Sequence, residues 1–490
     1  MERKLIDKKI LHMDLGEASQ SNELHHRDMT GEALPALTNR QKTVMVPVIQ
    51  TMKEYILLHD RQGIAAELCR QIVEGEVATG YDIDDIRVIP LPKTCRFRHM
   101  TFWRASAASI IADIDVGIDL LLQDGVIDDT VKADFLVALH IDMDEGAILD
   151  CEVFGESDTK PDRDLWLLSD YLVPILRKDE IEAGAEALLE KYYPEALYDL
   201  KAHDAFEMAG RMNLQVMRLP LYRRSRTKSM LFFCEGEIAV CTSPGDPSGE
   251  ASEMVRIPGN TIVINSSVIP KDSCHLSVYH ECIHFDWHYL FYRLQDMHNN
   301  DVKGLKTRRV VKTEKRRGEN PLLWMEWQAR RGSYALMMPA SAMQPEIKTA
   351  LEETAHLNWH LGRRLDCAAR RIAHENDERK YLVRARLIQL GHVMAKGALN
   401  YVDDRYIEPF AFSVEKGAGD YTFVIDKKTA FAEYRDNPDF RASLDSGAFI
   451  YADGHLCLND PKYVVCTSSG ARLTKWANAH VDECCLRFIS

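Results

Sequence analysis

The segment HECIH, from His280 to His284, combines residue types that can bind a metal ion and move a proton. On an α-helix, residues four positions apart lie on one face, about 6 Å apart along the axis, so both imidazoles can reach one ion. This is the H-E-x-x-H pattern of zinc hydrolases, in which Glu281 would act as general base on a zinc-bound water. The alternative interpretation is a helix whose histidines are satisfied within the protein core.

A catalytic zinc ion needs a third protein ligand, and His288 cannot supply it. His288 follows His280 by eight residues, which corresponds to about 12 Å along a straight helix. Metzincins bring a third histidine close with a glycine turn, in the pattern H-E-x-x-H-x-x-G-x-x-H. Here Trp287 and Leu290 occupy the glycine and last histidine positions. The third ligand must therefore come from another element.

Glu326 is the candidate for this third ligand. The surrounding sequence NPLLWMEWQARRGSYALMMP predicts a helix with Asn320 as N-cap and Pro321 at the first helical position. Two tryptophans flank Glu326 and indicate partial burial, where a lone carboxylate is costly unless a metal ion or a cation pairs with it. An exposed ion pair with Arg330, four residues later, would also explain the glutamate. These residues alone leave both interpretations open.

Taken in order, the segments resemble the ImmA/IrrE-type zinc metallopeptidases. The resemblance is carried by the strand before HECIH, by the E-x-x-A sequence at 326–329 and by LMMP at 336–339, and it covers roughly residues 200–395. It implies a gluzincin-like fold in which His280, His284 and Glu326 bind zinc and Glu281 is the general base. Members of this family are known as site-specific endopeptidases that cleave a repressor protein.

The chain differs from the common pattern of that family close to these residues. Ile283 stands directly before the second histidine, where glycine is common. After E-x-x-A the family commonly has Asn and Phe-Ala, whereas this chain has Arg330, Gly332 and Ser333. These differences bear on the expected identity of the substrate more than on the expected metal ligands.

The hydrophobic periodicity of the chain predicts an α+β protein. The resemblance implies a zincin-like core, with a small β-sheet packed on the metal helix and the helices that follow. Antiparallel strands are predicted before residue 155 and a helical tail at 164–197. The metal helix is predicted to continue without interruption over 275–295. The predicted domains are a flexible leader at 1–40, an α+β domain at 41–200, the metallopeptidase domain at 201–399 and a small β-rich domain at 400–490.

Composition narrows the class of protein further. The formal charge of -14 and the pI near 5.7 argue against a nucleic-acid coat protein. The basic segment 303–317 is predicted to be an exposed loop, and direct DNA contact through it stays open. The N-terminus lacks the apolar run of a signal peptide and no run is long enough to span a membrane, so we expect a cytoplasmic protein.

The twelve cysteines do not indicate a disulfide framework in so long a chain. Near the C-terminus, however, cysteines and histidines recur at spacings that suit a structural zinc ion. They are His455, Cys457, His480 and Cys484, with Cys485 adjacent. The alternative is a set of buried thiols in a small domain, because neither pair matches the C-x-x-C signature.

The sequence therefore predicts a zinc-dependent endopeptidase that hydrolyses a peptide bond in a specific protein, such as a transcriptional repressor, with no membrane partner. Two other functions are compatible with the same residues. One is a regulator that keeps the metallopeptidase fold and binds a repressor or DNA without turnover. The other is a metal hydrolase that does not act on peptides.

Overall fold

The structure is a computed structural model, and it confirms a mixed α+β protein. It describes residues 50–77, 79, 86–123, 128–155, 161–221, 227–242, 252–270, 274–298, 320–357, 359, 361–398, 401–403, 405–406, 413–415, 419–468 and 470–489. The predicted leader at 1–40 and the basic segment 303–317 lie outside these residues. The chain forms two compact units, Thr43–Pro339 and Ala340–Ser490.

The first unit begins with two helices and a five-stranded antiparallel sheet. The helices are α1 (Met52–His59) and α2 (Arg61–Val73). The strands are β1 (Arg87–Arg104), β2 (Ser109–Gln123), β3 (Asp128–Asp142), β4 (Ala147–Phe154) and β5 (Trp166–Leu168), in the order β4-β3-β2-β1-β5. Every second residue of β2 from Ile110 to Leu120 is buried, which is the pattern of a strand with one face against a core. The predicted antiparallel strands are confirmed.

The predicted helical tail at 164–197 is shorter than its periodicity suggested. Residues 166–168 form β5 and pair with β1, and Pro174 makes an isolated bridge to Leu168. The helix α3 starts only at Lys178 and ends at Tyr192. The backbone groups of residues 166–168 are satisfied by pairing with β1 and not within a helix.

A smaller mixed sheet follows the helix α4 (Ala205–Arg211). The strands in this region are β6 (Gln215–Leu219), β7 (Ser229–Phe232), β8 (Gly236–Cys241), β9 (Ser252–Ile257) and β10 (Thr261–Asn265). The central strand β10 pairs in parallel with β6 and antiparallel with β7, while β8 and β9 form a separate antiparallel pair. The strands β7 and β8, which are only three residues apart in the chain, thus belong to different sheets.

The metal-binding motif lies on α5 (His275–Trp287), which is followed by α6 (Tyr289–His298). The prediction of one uninterrupted helix is wrong, because His288 leaves helical geometry with φ -111° and ψ 6°. The next described helix is α7 (Pro321–Met337). Its predicted start is confirmed, since the side chain of Asn320 accepts hydrogen bonds from the backbone N–H groups of Leu322 and Leu323 at 3.1 and 3.4 Å.

The division between the two units differs from the predicted domain boundaries near residues 200 and 400. It falls after Pro339, inside the segment 201–399. The described residues between 50 and 200 and the metal helix belong to one unit. Leu290 and Leu294 of α6 are buried in the same hydrophobic core as the strands β1 to β3. The large sheet and the motif are thus joined by packing.

The second unit contains three helices and then a β-rich part. The helices are α8 (Ala340–Glu353), α9 (Leu361–Glu375) and α10 (Lys380–Gln389). The remaining elements are β11 (Tyr401–Val402), β12 (Arg405–Tyr406), β13 (Ser413–Glu415), β14 (Gly419–Thr422), α11 (Lys427–Asp436), α12 (Pro438–Asp445), β15 (Phe449–Ala452), β16 (His455–Leu458), β17 (Val464–Thr467), β18 (Gly470–Leu473), α13 (Lys475–Ala479), α14 (Val481–Cys484) and β19 (Phe488–Ile489). Among the residues described in both units, no helix is both long and apolar enough to cross a membrane.

Candidate metal centre

The structure brings together the three residues that the sequence singled out as metal ligands. His280 and His284 lie one turn apart on α5, and their Nε2 atoms are 3.1 Å from each other. Glu326 reaches them from α7, with one carboxylate oxygen 3.5 Å from His280 Nε2 and the other 3.6 Å from His284 Nε2. No ion pair joins Glu326 to Arg330 among the described residues, so Glu326 does not form the predicted alternative pair.

The spacing of these atoms suits one zinc ion. With zinc bonds of about 2.0–2.1 Å, the ligand atoms of a tetrahedral site lie about 3.3–3.4 Å apart. The two imidazole nitrogens are 3.1 Å apart, and they lie 3.5 and 3.6 Å from different oxygens of the Glu326 carboxylate, so the three groups are close to that spacing. Two imidazole nitrogens and one carboxylate are also a common donor set of catalytic zinc sites. The residues present therefore fit the ion.

One side of the cluster is open to solvent. The side chain of His284 is only 1 % exposed, whereas those of His280 and Glu326 are 22 % and 39 % exposed. A catalytic metal site keeps a position for water or substrate, while a structural site is closed by four protein ligands. The exposure of two of the three ligands favours the catalytic type.

His288 contacts the cluster without joining it, as its distance along the helix predicted. Its Nδ1 atom lies 2.9 Å from Nδ1 of His284, and its Nε2 atom lies 2.8 Å from Oε1 of Gln328. Burial lowers the pKa of His288 well below its ordinary value, so the ring is neutral and carries one N–H. It can therefore donate through one nitrogen only.

Gln328 decides which nitrogen of His288 carries that proton. Its Nε2 group donates to the carbonyl of Pro174 at 2.5 Å, which leaves Oε1 as an acceptor facing His288. His288 must then donate through Nε2 and accept through Nδ1 from the N–H of His284. With its Nδ1 proton held in this way, His284 can offer Nε2 to a metal ion once the ion displaces any proton from that nitrogen.

The carbonyl of Pro174 accepts hydrogen bonds from two side chains of α7, of which Gln328 is one. It also accepts a hydrogen bond from the indole Nε1–H of Trp324 at 3.1 Å. Sequence reasoning missed Gln328, although a buried amide two residues after a proposed ligand is a usable signal in an otherwise apolar setting. Its partners could not be found in this way, because Pro174 lies 154 residues away along the chain.

The predicted general base, Glu281, lies beside the cluster on α5. Its side chain is buried, with 2 % of its surface exposed. The hydroxyl of Ser229, the first residue of β7, donates a hydrogen bond to Glu281 Oε1 at 2.6 Å. This contact orients the carboxylate, and sequence reasoning missed Ser229 because its partner lies 52 residues away.

The charges of the site favour an ionised glutamate. Burial opposes ionisation of Glu326, but its contacts with His280 and His284 outweigh burial and hold the pKa of its carboxyl far below the ordinary value. Burial also opposes the charged form of His280, yet the contact with Glu326 raises the pKa of its imidazole. Without an ion, a proton on His280 would thus take part of the role of the cation.

The second predicted ion site is corrected by the structure. Cys457 and Cys484 do lie close together, with Cys485 as the third member of the group, and their ligand atoms are all within 4.8 Å of one another. His480 is not part of it, because its ring stacks on Trp476 with centroids 4.1 Å apart and its Nδ1 lies 2.9 Å from the Trp476 carbonyl.

His455, the remaining predicted ligand of that ion, is fully buried. Its Nδ1 atom lies 2.8 Å from the carbonyl oxygen of Asp453. Burial lowers the pKa of His455 to about 4. The ring is therefore neutral at ordinary pH, and it lies outside the group of three thiols.

Comparisons with models of protein families, with curated proteins and with solved structures gave no match for this chain. The chemistry of the first site follows from its own groups. Two imidazoles and a carboxylate can hold a divalent cation. A second carboxylate, Glu281, lies next to them and can accept and release a proton. Together these groups are suited to metal-assisted hydrolysis.

Proposed function

We propose that the chain is a zinc-dependent endopeptidase of the ImmA/IrrE type, with a zincin-like core, that hydrolyses a peptide bond in a specific protein such as a transcriptional repressor. The observation that carries the proposal is the convergence of His280, His284 and Glu326, whose ligand atoms all lie within 4.8 Å of one another. It is supported by the buried Glu281 beside them and by the solvent-exposed side of the cluster.

The residues of the chain divide the chemistry among them. When bound, zinc would polarise the scissile carbonyl and increase the acidity of the attacking water. Glu281 takes a proton from that water and passes it to the leaving amine. The hydroxyl of Ser229 holds the Glu281 carboxylate in position at 2.6 Å. His288 keeps the proton of His284 on Nδ1, away from the ion.

The proposal is tested by separating metal binding from hydrolysis. Zinc content would be measured for the full chain and for Glu281→Gln and His280→Ala. Peptide cleavage would be followed by mass spectrometry, with a peptide library and with DNA-binding repressors whose genes lie next to the gene of this protein. We expect Glu281→Gln to keep zinc and lose cleavage by about 10²–10⁴-fold, because it removes the base but no ligand. His280→Ala should lose both.

A matched control is His374→Ala, which removes an exposed histidine of α9 and should change neither measurement. Cleavage that survives Glu281→Gln would refute the mechanism. Zinc binding by the unaltered chain without cleavage of any repressor or peptide would favour the non-catalytic binding module instead. Hydrolysis of a substrate other than a peptide would favour the non-proteolytic metal hydrolase.

A further inference from the structure

Three cysteine thiols meet inside the β-rich part of the second unit. Cys457, Cys484 and Cys485 have Sγ atoms that all lie within 4.8 Å of one another. All three side chains are buried, at 0 %, 1 % and 4 % exposure. We propose that they form a three-thiolate site for a thiophilic d¹⁰ cation, Zn²⁺ or Cu⁺, that is separate from the proposed peptidase centre.

The backbone holds the three residues in this arrangement. Cys457 lies in the middle of β16, and Cys485 follows the short helix α14 and pairs with Cys457 across an antiparallel bridge. The N–H of Leu486 donates to the carbonyl of Leu456 at 2.8 Å and fixes the register of this bridge. Residues far apart in sequence are thus brought to one point by backbone hydrogen bonds.

The hairpin that carries Cys457 has a tight turn at its other end. The strands β15 and β16 are joined by Asp453 and Gly454, with φ angles of 50° and 79°. An Asp-Gly pair with both φ angles positive is the preferred two-residue hairpin turn. The carboxylate of Asp453 also accepts a hydrogen bond from the backbone N–H of Leu473 at 2.8 Å. The position of Cys457 is therefore set by a well-defined local structure.

The distances suit sulfur ligation of a metal ion. Sγ of Cys484 lies 3.8 Å from Sγ of Cys485. With zinc–sulfur bonds of about 2.3 Å, two ligands of a tetrahedral site lie about 3.8 Å apart, whereas the sulfurs of a disulfide lie about 2.05 Å apart. Thiolates select soft cations such as Zn²⁺ and Cu⁺ over Mg²⁺ or Ca²⁺.

A cation would also change the protonation of the cluster. A buried thiol keeps its proton when no cation is bound, because burial disfavours the charged thiolate. Binding of a cation displaces thiol protons to solvent, and the positive charge compensates the thiolates in the apolar surroundings of Phe423, Val464 and Leu473. Because all three thiols are buried, the cation would be bound as the chain folds.

The site is tested on the full-length chain, with the proposed peptidase centre removed by His280→Ala and His284→Ala together. Purified in reductant, this variant should retain about one equivalent of zinc, or of Cu⁺ when supplied with Cu⁺ and measured by chelator competition. Substitution with Co²⁺ should produce thiolate-to-metal charge-transfer absorption. Adding Cys484→Ser and Cys485→Ser should abolish retention and absorption.

Cys466→Ser is the matched control, because Cys466 is an exposed cysteine on β17 of the same region and its loss should change nothing. The absorption reports sulfur ligation in a chain with all its cysteines, so the test holds even if the cysteine variants do not fold. The proposal would be overturned if the variant that carries only His280→Ala and His284→Ala retained no metal or showed no charge-transfer absorption. A disulfide between Cys457 and Cys485 in the purified chain would also overturn it. Neither result bears on peptide cleavage.

Discussion

At the scale of single residues, the spacing of His288 in the sequence does not reveal the hydrogen bonds that it makes in the structure. In the sequence it is the third of three evenly spaced histidines. In the structure it accepts a hydrogen bond from His284 and donates one to Gln328. Metal-binding histidines commonly donate their second N–H to a carboxylate or carbonyl. Here a neutral histidine ring takes the place of that acceptor.

Replacing His288 by phenylalanine should weaken zinc binding by about 10–100-fold, because His284 loses the acceptor that holds its proton on Nδ1. The change keeps a ring of similar size but leaves the buried Oε1 of Gln328 without its donor, which costs about 1–3 kcal/mol of folding stability. Zinc affinity would be measured by chelator competition. His288→Gln, which restores an acceptor, should recover part of the affinity, and equal affinities for both variants would contradict this role.

Zinc binding should weaken as the pH falls. The weakening should begin above pH 6.5, the ordinary pKa of a histidine side chain being about 6.5. The contact with Glu326 raises the pKa of His280 against the effect of burial, so the metal-free protein gains a stabilising proton there that zinc must displace. That stabilisation is present at low pH and is lost as the pH rises through the raised pKa.

Glu326→Gln provides the comparison for this pH dependence. Without the carboxylate, burial is the largest remaining influence on His280 and outweighs the opposing charge of Glu281, so its pKa falls and proton competition should begin at a lower pH. The affinity at pH 8 should also be weaker, since a ligand has been removed. Zinc affinity would be measured between pH 5.5 and 8, and an identical midpoint in both proteins would show that Glu326 does not control the protonation of His280.

At the scale of elements, α5 and α7 approach closely at a glycine. A Cβ atom on Gly332 would lie 2.9 Å from Cδ1 of Ile283 and 3.2 Å from Cη2 of Trp287. Ile283 is the residue that stands where the resembled family commonly has glycine. In this chain the large residue lies on α5 and the small one on α7, so the two helices can still bring Glu326 to the histidines.

Gly332→Ala should destabilise the protein by about 1–3 kcal/mol through overpacking and reduce zinc affinity. Ile283→Val removes the atom closest to the new methyl group and should recover much of this loss in the double variant, although alone it costs about 0.5–1.5 kcal/mol. Thermal unfolding of the four proteins would give the coupling energy. Gly210→Ala on α4, where a Cβ meets nothing within 4 Å, is the control.

The sequence predicted the parts of the site that depend on local geometry. The positions of His280 and His284 follow from one helical turn, and the start of α7 follows from its Asn-Pro cap. The break at His288 and the role of Gln328 could not be predicted, because they depend on contacts 40 and 154 residues apart in the chain. The strand β5 was mistaken for helix for the same reason, since its partner is the distant β1.

At the scale of the whole molecule, the large sheet and the metal helix belong to one compact unit. The segment α6 connects them, since Leu290 and Leu294 are buried among residues of the sheet core. Arg293 of the same helix donates a hydrogen bond to the carbonyl of Met143 at 3.0 Å, just after β3. We therefore expect the sheet and the candidate site to unfold together.

Leu294→Ala should cost about 2–5 kcal/mol of stability, because it leaves a cavity at a fully buried position. Hydrogen exchange measured by mass spectrometry should show faster exchange in both β2 and α5, although α5 does not contain the substitution. Leu58→Ala, at a 74 % exposed leucine of α1, is the control and should change little. Faster exchange confined to the sheet would show that the two parts open independently.

The break in the helix at His288 also lies between the candidate ion site and the core of the large sheet. The backbone N–H of His288 donates to the carbonyl of His284 at 3.2 Å, its ring holds the proton of His284, and the next residue begins the helix that enters the sheet core. We expect a change in the packing of that core to alter the affinity for the ion, in which case the ion alters the packing by the same factor. We therefore expect a molecule that changes the packing of the sheet to act as an effector of the candidate metal site, through the contacts of His288.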